Sequence, residues 1–281
     1  MIKNIRLNAL VSGILLSLMV FLYVYIYHDF ENLTSIYSKF AVNKVFELLT
    51  IAPALMAAFL AVLIVTQFSP KEPLFRVWLM LALGWGFWAL GELSYLPYDF
   101  FYPQDYPDFS FIDFCWLAGY FFLGLALYYQ IRLIYSGRAH YTAFYLVIVG
   151  IVLLITYGLT NLVMAYGLGG DSPHWAVYLS VLYPVLDIFE GGAAIWLSLL
   201  YGRGAFGRVW WALISFTIAD SASVFFWLGG GVLLSESAYF VVDMLSAVTY
   251  ALAYAIAALS LLISYNLLRY GYNAARKPAL R

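Results

Sequence analysis

Charged side chains are scarce in this chain. Of its 281 residues only 10% are Asp, Glu, Lys or Arg, against 65% hydrophobic, and mean hydropathy is +0.88. A water-soluble domain carries about 25% charged residues, so the shortfall excludes an ordinary soluble surface and points to a lipid bilayer. A net charge of -1 and a pI near 6.3 leave no basic excess, which excludes a nucleic-acid footprint. The single cysteine, Cys115, excludes an internal disulfide framework and any cysteine-rich metal site, and its place inside an apolar segment reads as a buried thiol. Three histidines, His28, His140 and His174, fall at segment ends or in loops, so haem has no pair of axial ligands between helices. No lysine lies in the last segments to form a retinal Schiff base. An intramembrane zinc hydrolase would need histidine or cysteine among its acids, and these are missing. There is no nucleophile elbow, phosphate loop or kinase signature. "YPVLD" and "TIAD" match neither motif of the intramembrane aspartyl proteases, so no catalytic residue is assigned.

What the chain does have is long apolar runs. A membrane helix needs about 20 apolar residues, and eight segments reach that length: Leu7 to His28, Val45 to Phe68, Val77 to Leu96, Ile112 to Tyr135, Tyr141 to Tyr166, Trp175 to Tyr201, Val209 to Leu228 and Ala238 to Tyr270. Barrel strands would be about ten residues long, so the expected fold is an all-α membrane protein with eight transmembrane helices. Lys3 and Arg6 before the first run resemble a signal peptide, but the run is too long and lacks a small-residue cleavage site. If the segments alternate, twelve Lys and Arg fall on one side and only Lys39 and Lys44 on the other. By the positive-inside rule both termini are cytoplasmic, and the chain is expected to be an integral membrane protein.

The acids inside these runs recur. Glu92 in "WALGELSY" precedes Asp220 in "FTIADSAS" by 128 positions, Asp113 precedes Asp243 by 130, and Pro53 precedes Pro184 by 131. The spacing predicts two parallel four-helix repeats, residues 1–138 and 139–272, followed by a short basic tail, 273–281. Glu47, Glu92, Asp113, Asp187, Glu190, Asp220 and Asp243 all fall within segments, with no lysine or arginine at comparable depth. A charged carboxylate at the centre of a membrane helix costs about 2.5–3.5 kcal/mol, so such residues face the bundle interior or a cavity. They must be protonated, hold a cation, or accept hydrogen bonds. Helical spacing predicts some of the last: Asp113 shares a face with Trp116 and Tyr120, Asp243 with Ser246 and Tyr250, Asp220 with Ser223, and Glu92 with Trp88 and Tyr95.

Aromatics make up 20% of the chain. Trp85, Trp88, Trp116, Tyr120, Tyr250 and Tyr254 are positioned to line a site in the outer half, offering ring faces to a cation or a flat ligand. The glycines of "LGWGFWALG" and "GGAA" read as close helix packing, and "LGGGV" as an outer turn. Pro53 and Pro184 would kink their helices and open a cavity beside Asp187. Asn32 to Thr34 form a glycosylation sequon on the outer side.

The phrases "WALGELSYLPYD", "FIDFCWLAGY", "YPVLDIFEGG" and "IADSAS" resemble the multi-helix membrane sensor modules at the N-terminus of prokaryotic signalling proteins, including membrane-bound diguanylate cyclases. Their pattern "ADxxYLxGY" is met here by Asp113, Gly119 and Tyr120, with Ile112 in place of alanine and Trp116 in place of tyrosine. The resemblance implies a sensory role and a location in a prokaryotic plasma membrane. Because "NAARKPALR" stands where those proteins carry an output domain, it also implies that output passes to a separate partner.

The expectation is a non-enzymatic sensory or ligand-binding membrane module. Its site is formed by Glu92, Asp113, Asp187, Asp220, Asp243, Trp116, Tyr120 and Tyr250, its ligand is a cation or small molecule, and a protein partner reads it at the cytoplasmic face. A cation- or proton-coupled transporter or channel is the second reading, although Thr156, Thr160 and Asn161 offer little polar lining further in. A non-catalytic, quinone-binding or scaffolding subunit of a larger membrane complex is the third.

Overall fold

The computed structural model describes residues 36–101, 109–135, 141–166, 173–202, 205–227 and 236–276. They form seven helices: α1 (Ile36–Val65), α2 (Pro73–Phe101), α3 (Phe111–Ile134), α4 (Tyr141–Ala165), α5 (His174–Tyr201), α6 (Ala205–Trp227) and α7 (Glu236–Arg276). The first apolar run, the sequon, the "LGGGV" turn and the end of the basic tail lie outside the described residues. Six helices, all but α6, are long and apolar enough to cross a membrane. In hydrocarbon only a helix or a closed barrel satisfies its own backbone groups, and runs of this length and composition fold accordingly. Helix α6 is less apolar because it carries Arg208, Ser215, Thr217, Asp220, Ser221 and Ser223, and it is shielded by packing between α5 and α7.

The helices pack in a ring. Helix α1 touches α2 and α7, α2 continues to α3, α3 meets α5, and α5 continues through α6 to α7. Helix α4 packs on the outside of α5 and is the least buried of the six spans. The α2–α3 seam is interlocked through glycine. A Cβ at Gly119 would come 2.3 Å from Trp88 Cδ1, and one at Gly91 would come 2.8 Å from the Trp116 indole. Each tryptophan therefore lies against the bare backbone of the opposite helix, the small-residue contact that lets membrane helices approach closely. The contacts pair early residues of α2 with late residues of α3, so the two run antiparallel.

The centre is aromatic. Trp78, Trp85, Trp88, Trp210, Phe216 and Tyr254 are almost wholly buried, with the Trp88 ring 4.6 Å from that of Phe216 across the ring of helices. Outward-facing positions are apolar as well: Phe59 and Val62 on α1, Phe121 on α3, Leu146 and Leu154 on α4, Ile188 and Leu199 on α5, and Ile218 on α6 are exposed. A soluble protein would not expose such a surface, whereas lipid solvates it. Buried positions on α2 recur 128 residues later on α6: Leu81 and Val209, Ala82 and Trp210, Trp85 and Leu213, Trp88 and Phe216, Glu92 and Asp220 are all buried pairs. Pro53 and Pro184 lie inside continuous helices.

Candidate functional site

Six buried or half-buried polar side chains gather on α3, α5 and α6: Asp113, Tyr120, Tyr183, Asp187, Asp220 and Ser221. Asp187 of α5 and Asp220 of α6 are both buried, at 2% and 6% exposure, and both contact the hydroxyl of Tyr120 on α3. The Tyr120 Oη lies 2.8 Å from Asp187 Oδ1 and 2.6 Å from Asp220 Oδ2. Ser221 Oγ donates to the other Asp187 oxygen at 2.9 Å. Toward the start of α3, Tyr183 of α5 donates to Asp113 Oδ1 at 3.0 Å.

The first of these groups fixes a proton count. A phenol has one hydrogen and can donate it to one acceptor. Tyr120 Oη is within hydrogen-bond distance of two carboxyl oxygens, so its second contact needs a hydrogen supplied by an aspartate. Three oxygens from three helices are thus held together by two hydrogens, and one of those is a carboxyl proton.

A second cluster joins α2 to α7. Glu92 is buried, and its Oε1 accepts from Tyr250 at 2.7 Å and from Tyr254 at 2.9 Å. The two tyrosine hydroxyls are themselves 3.3 Å apart. Trp88 and Phe216 stand between the clusters: the Trp88 ring is 5.1 Å from Tyr120, and the Phe216 ring is 5.3 Å from Tyr254. Trp116 packs against Trp88 at 5.7 Å and against Tyr183 at 6.1 Å. Trp85 lines the second cluster, 6.3 Å from Tyr254.

Of the residues expected at the site, Tyr120, Asp187 and Asp220 are thus brought into direct contact. Glu92 and Tyr250 are together in the other cluster, and Asp113 and Trp116 flank the first. Asp243 lies in α7, but its side chain is outside the described residues.

For Asp113 and Asp220 the hydrogen-bond partners lie on other helices, Tyr183 and Tyr120, in place of the same-face Tyr120 and Ser223; the pairing expected of Asp243 lies outside the described residues. Asp113 bonds Tyr183 and not Tyr120, because seven residues along a helix separate them by about 10.5 Å. Asp220 bonds Tyr120, whereas Ser223 donates to its own helix at Ala219 and contacts Ser246 of α7. Glu47, expected to lack a counter-charge, is paired with Lys44 at 2.8 Å. Asp113 also has a local role. With Ser110 it forms a capping box at the start of α3, its Oδ2 accepting from the Ser110 N–H at 2.8 Å. The signal Ser-x-x-Asp ahead of an apolar run was available in the sequence.

Tyr183 and Ser221 are the residues that sequence reasoning missed. Tyr183 precedes Asp187 by four positions, a one-face spacing that could have identified it. Thr156 and Thr160 are buried, but each bonds a carbonyl of its own helix, as Asn161 does, so they line nothing. Among the described residues no group of three or more His, Cys, Asp or Glu is arranged to hold a metal ion. Comparisons with protein-family models, with curated proteins and with solved structures find no match to this chain.

Proposed function

We propose that this chain is a polytopic membrane sensory module whose ligand is the proton, bound between Asp187 and Asp220 on the Tyr120 hydroxyl. The observation that carries the reading is the proton count at that hydroxyl: one phenol serving two buried carboxyls. The described basic residues lie at helix ends or, like Lys44, are already paired, so no cation balances a doubly ionised pair. Gain or loss of the shared proton makes or breaks a tie among α3, α5 and α6. That shifts the packing of three helices, and a population shift of this kind is what a partner at the cytoplasmic face would read.

The same reading takes the chain as eight spans in two four-helix repeats with cytoplasmic termini. Its support is the buried face common to α2 and α6 and the excess of Lys and Arg on one side of the membrane.

The test is thermal unfolding of the detergent-purified protein across acidic to mildly basic pH. An unfolded aspartate releases its proton near pH 3.9. If the folded pair holds the shared proton, the folded state binds more protons than the unfolded one and stability should fall as pH rises, by at most about 1.4 kcal/mol per pH unit for one proton. In Asp220→Asn the amide supplies a permanent N–H to Tyr120, and the pH dependence should flatten. A wild-type Tm indifferent to pH, or an unchanged slope in Asp220→Asn, would sink the proposal. Calcium, magnesium, zinc and an organic amine are added in parallel. A cation that raises Tm in the wild type, with the effect lost in Asp187→Asn, replaces the proton by that cation as the ligand.

A further inference from the structure

Below Asp187 on the same stripe of α5 lies an acid that the site does not use. Glu190 is 6% exposed, and its Oε2 is buried with no hydrogen-bond partner. It sits where α3, α4 and α5 meet. The point at which Gly124 of α3 would carry a Cβ is 3.4 Å from Glu190 Oε1 and 3.2 Å from the hydroxyl of Tyr145 on α4. Glycine at 124 leaves that junction open to the two polar groups. An orphaned carboxyl oxygen in a low-dielectric interior is costly, and a structure that keeps one must give it a transient partner.

The stripe of α5 that faces α3 divides in two. Tyr183, Asp187 and Glu190 follow one another at helical spacing, and the next positions on that face are Ala194 and Leu197, both fully buried. On α3 the matching stretch is Leu123, Ala126 and Leu127, in the same apolar cluster. Polar contact resumes only where Gln130 donates to the Tyr201 hydroxyl. The helices are parallel, since Asp113 pairs with Tyr183, Tyr120 with Asp187, and Gln130 with Tyr201. From the Ser110 end, therefore, titratable groups run inward as far as Glu190. Beyond it the stripe carries Ala194 and Leu197 before the next buried polar side chain, Ser198, an apolar stretch of about 12 Å at 1.5 Å per residue.

We propose that Glu190 is the inner terminus of a proton well, protonated only from the membrane face at which α3 begins. This rests on the proton-binding reading of the Asp187–Asp220 pair, which supplies the preceding step. The pair's single carboxyl proton starts on Asp220. Asp220 gives it to the Tyr120 oxygen as Tyr120 gives its own hydrogen to Asp187, so Tyr120 stays a neutral phenol. Asp187 then passes the proton to the Glu190 carboxylate three residues along the helix. In sum the Asp220 O–H is broken and the Glu190 O–H is formed, and the ionised Asp187–Asp220 pair takes its next proton from the Asp113–Tyr183 end. The titratable groups shown next to Glu190 are Tyr145 from α4 and Asp187 from its own helix, neither of them cationic. A well closed on one side makes the module report the pH, or the potential drop, of that side alone.

The experiment uses full-length protein in proteoliposomes of determined orientation. The protonated-carboxyl stretch is followed by infrared difference spectroscopy after a pH step on one face or the other. A step on the Ser110 face should change the band, a step on the opposite face should not, and Glu190→Gln should remove one component that Glu190→Asp restores. Loss of the band in Asp220→Asn with no change in Glu190→Gln would overturn the Glu190 assignment and leave the Asp187–Asp220 reading standing. A band absent from every variant and from the wild type would overturn both. A response to the opposite face would show that the layer of Ala194, Leu197 and Leu127 does not seal the well, and one-sided access would fall.

Discussion

The two acid–tyrosine clusters use the same parts in opposite proportion. Around Glu92 one carboxyl receives two phenol hydrogens, from Tyr250 and Tyr254. Around Tyr120 one phenol hydrogen meets two carboxyls, from Asp187 and Asp220. In the first, each contact of Glu92 Oε1 is supplied with a phenol hydrogen, so no carboxyl proton is needed to make it. In the second, acceptors exceed donors, and the arrangement is complete only with a proton added. Burial is alike in the two places, so the hydrogen inventory and not depth is what distinguishes the two clusters. Trp88 and Phe216 keep the two inventories from mixing.

The strongest way to break this contrast is to remove one phenol from each side. Tyr120→Phe strips the hydroxyl that, among the described residues, is shared by two buried carboxyls. Each acceptor left without a donor costs about 1–3 kcal/mol, so the loss should exceed roughly 2 kcal/mol and be worst at high pH, where the pair must ionise. Tyr254→Phe leaves Tyr250 in place and removes one hydrogen bond between helices, worth about 0.6 kcal/mol in membranes. Thermal unfolding in detergent at matched pH compares them. Equal losses would mean that the two clusters are energetically the same kind of object.

A smaller effect is expected from disturbing the wall between them. In Gly119→Ala the new methyl would meet Trp88 at 2.3 Å, so either the indole or α3 must move. Overpacking of this kind costs about 1–3 kcal/mol. Because Trp88 contacts both Tyr120 and Phe216, the pH dependence of Tm should change together with Tm itself. Gly86→Ala meets open space and serves as the control.

These contrasts mark how far the sequence could be read. Segment positions were legible because length and hydropathy settle them, and seven of the eight runs coincide with described helices. The scarcity of charge also drew attention to Glu92, Asp187 and Asp220, each of which sits at a junction between helices. Partners were harder. Periodicity tells which residues share a face of one helix, but not which helix that face meets. Tyr120 was therefore assigned to Asp113 on its own helix when it serves α5 and α6. Tyr183 and Ser221 went unnoticed because tyrosine and serine are common in this chain and carry no cost that flags them. Asp113 was legible for the wrong reason: its place in an apolar segment drew attention, while Ser110 three residues earlier explains it as a cap.

That double identity of Asp113 supports the mildest and most discriminating change. Ser110→Ala removes the hydroxyl that accepts from the Ile112 N–H and donates to Asp113, and leaves Tyr183 bonded to the other carboxyl oxygen. Loss of an N-cap costs about 1 kcal/mol, and it should appear as a lower Tm with an unchanged slope against pH. Such a result assigns Asp113 to the end of α3 and confines the exchangeable proton to the groups below it. If the slope changes as much in Ser110→Ala as in Asp220→Asn, Asp113 shares the proton. The contrast between the clusters would then have to be redrawn, with three carboxyls competing for the hydrogens of Tyr120 and Tyr183.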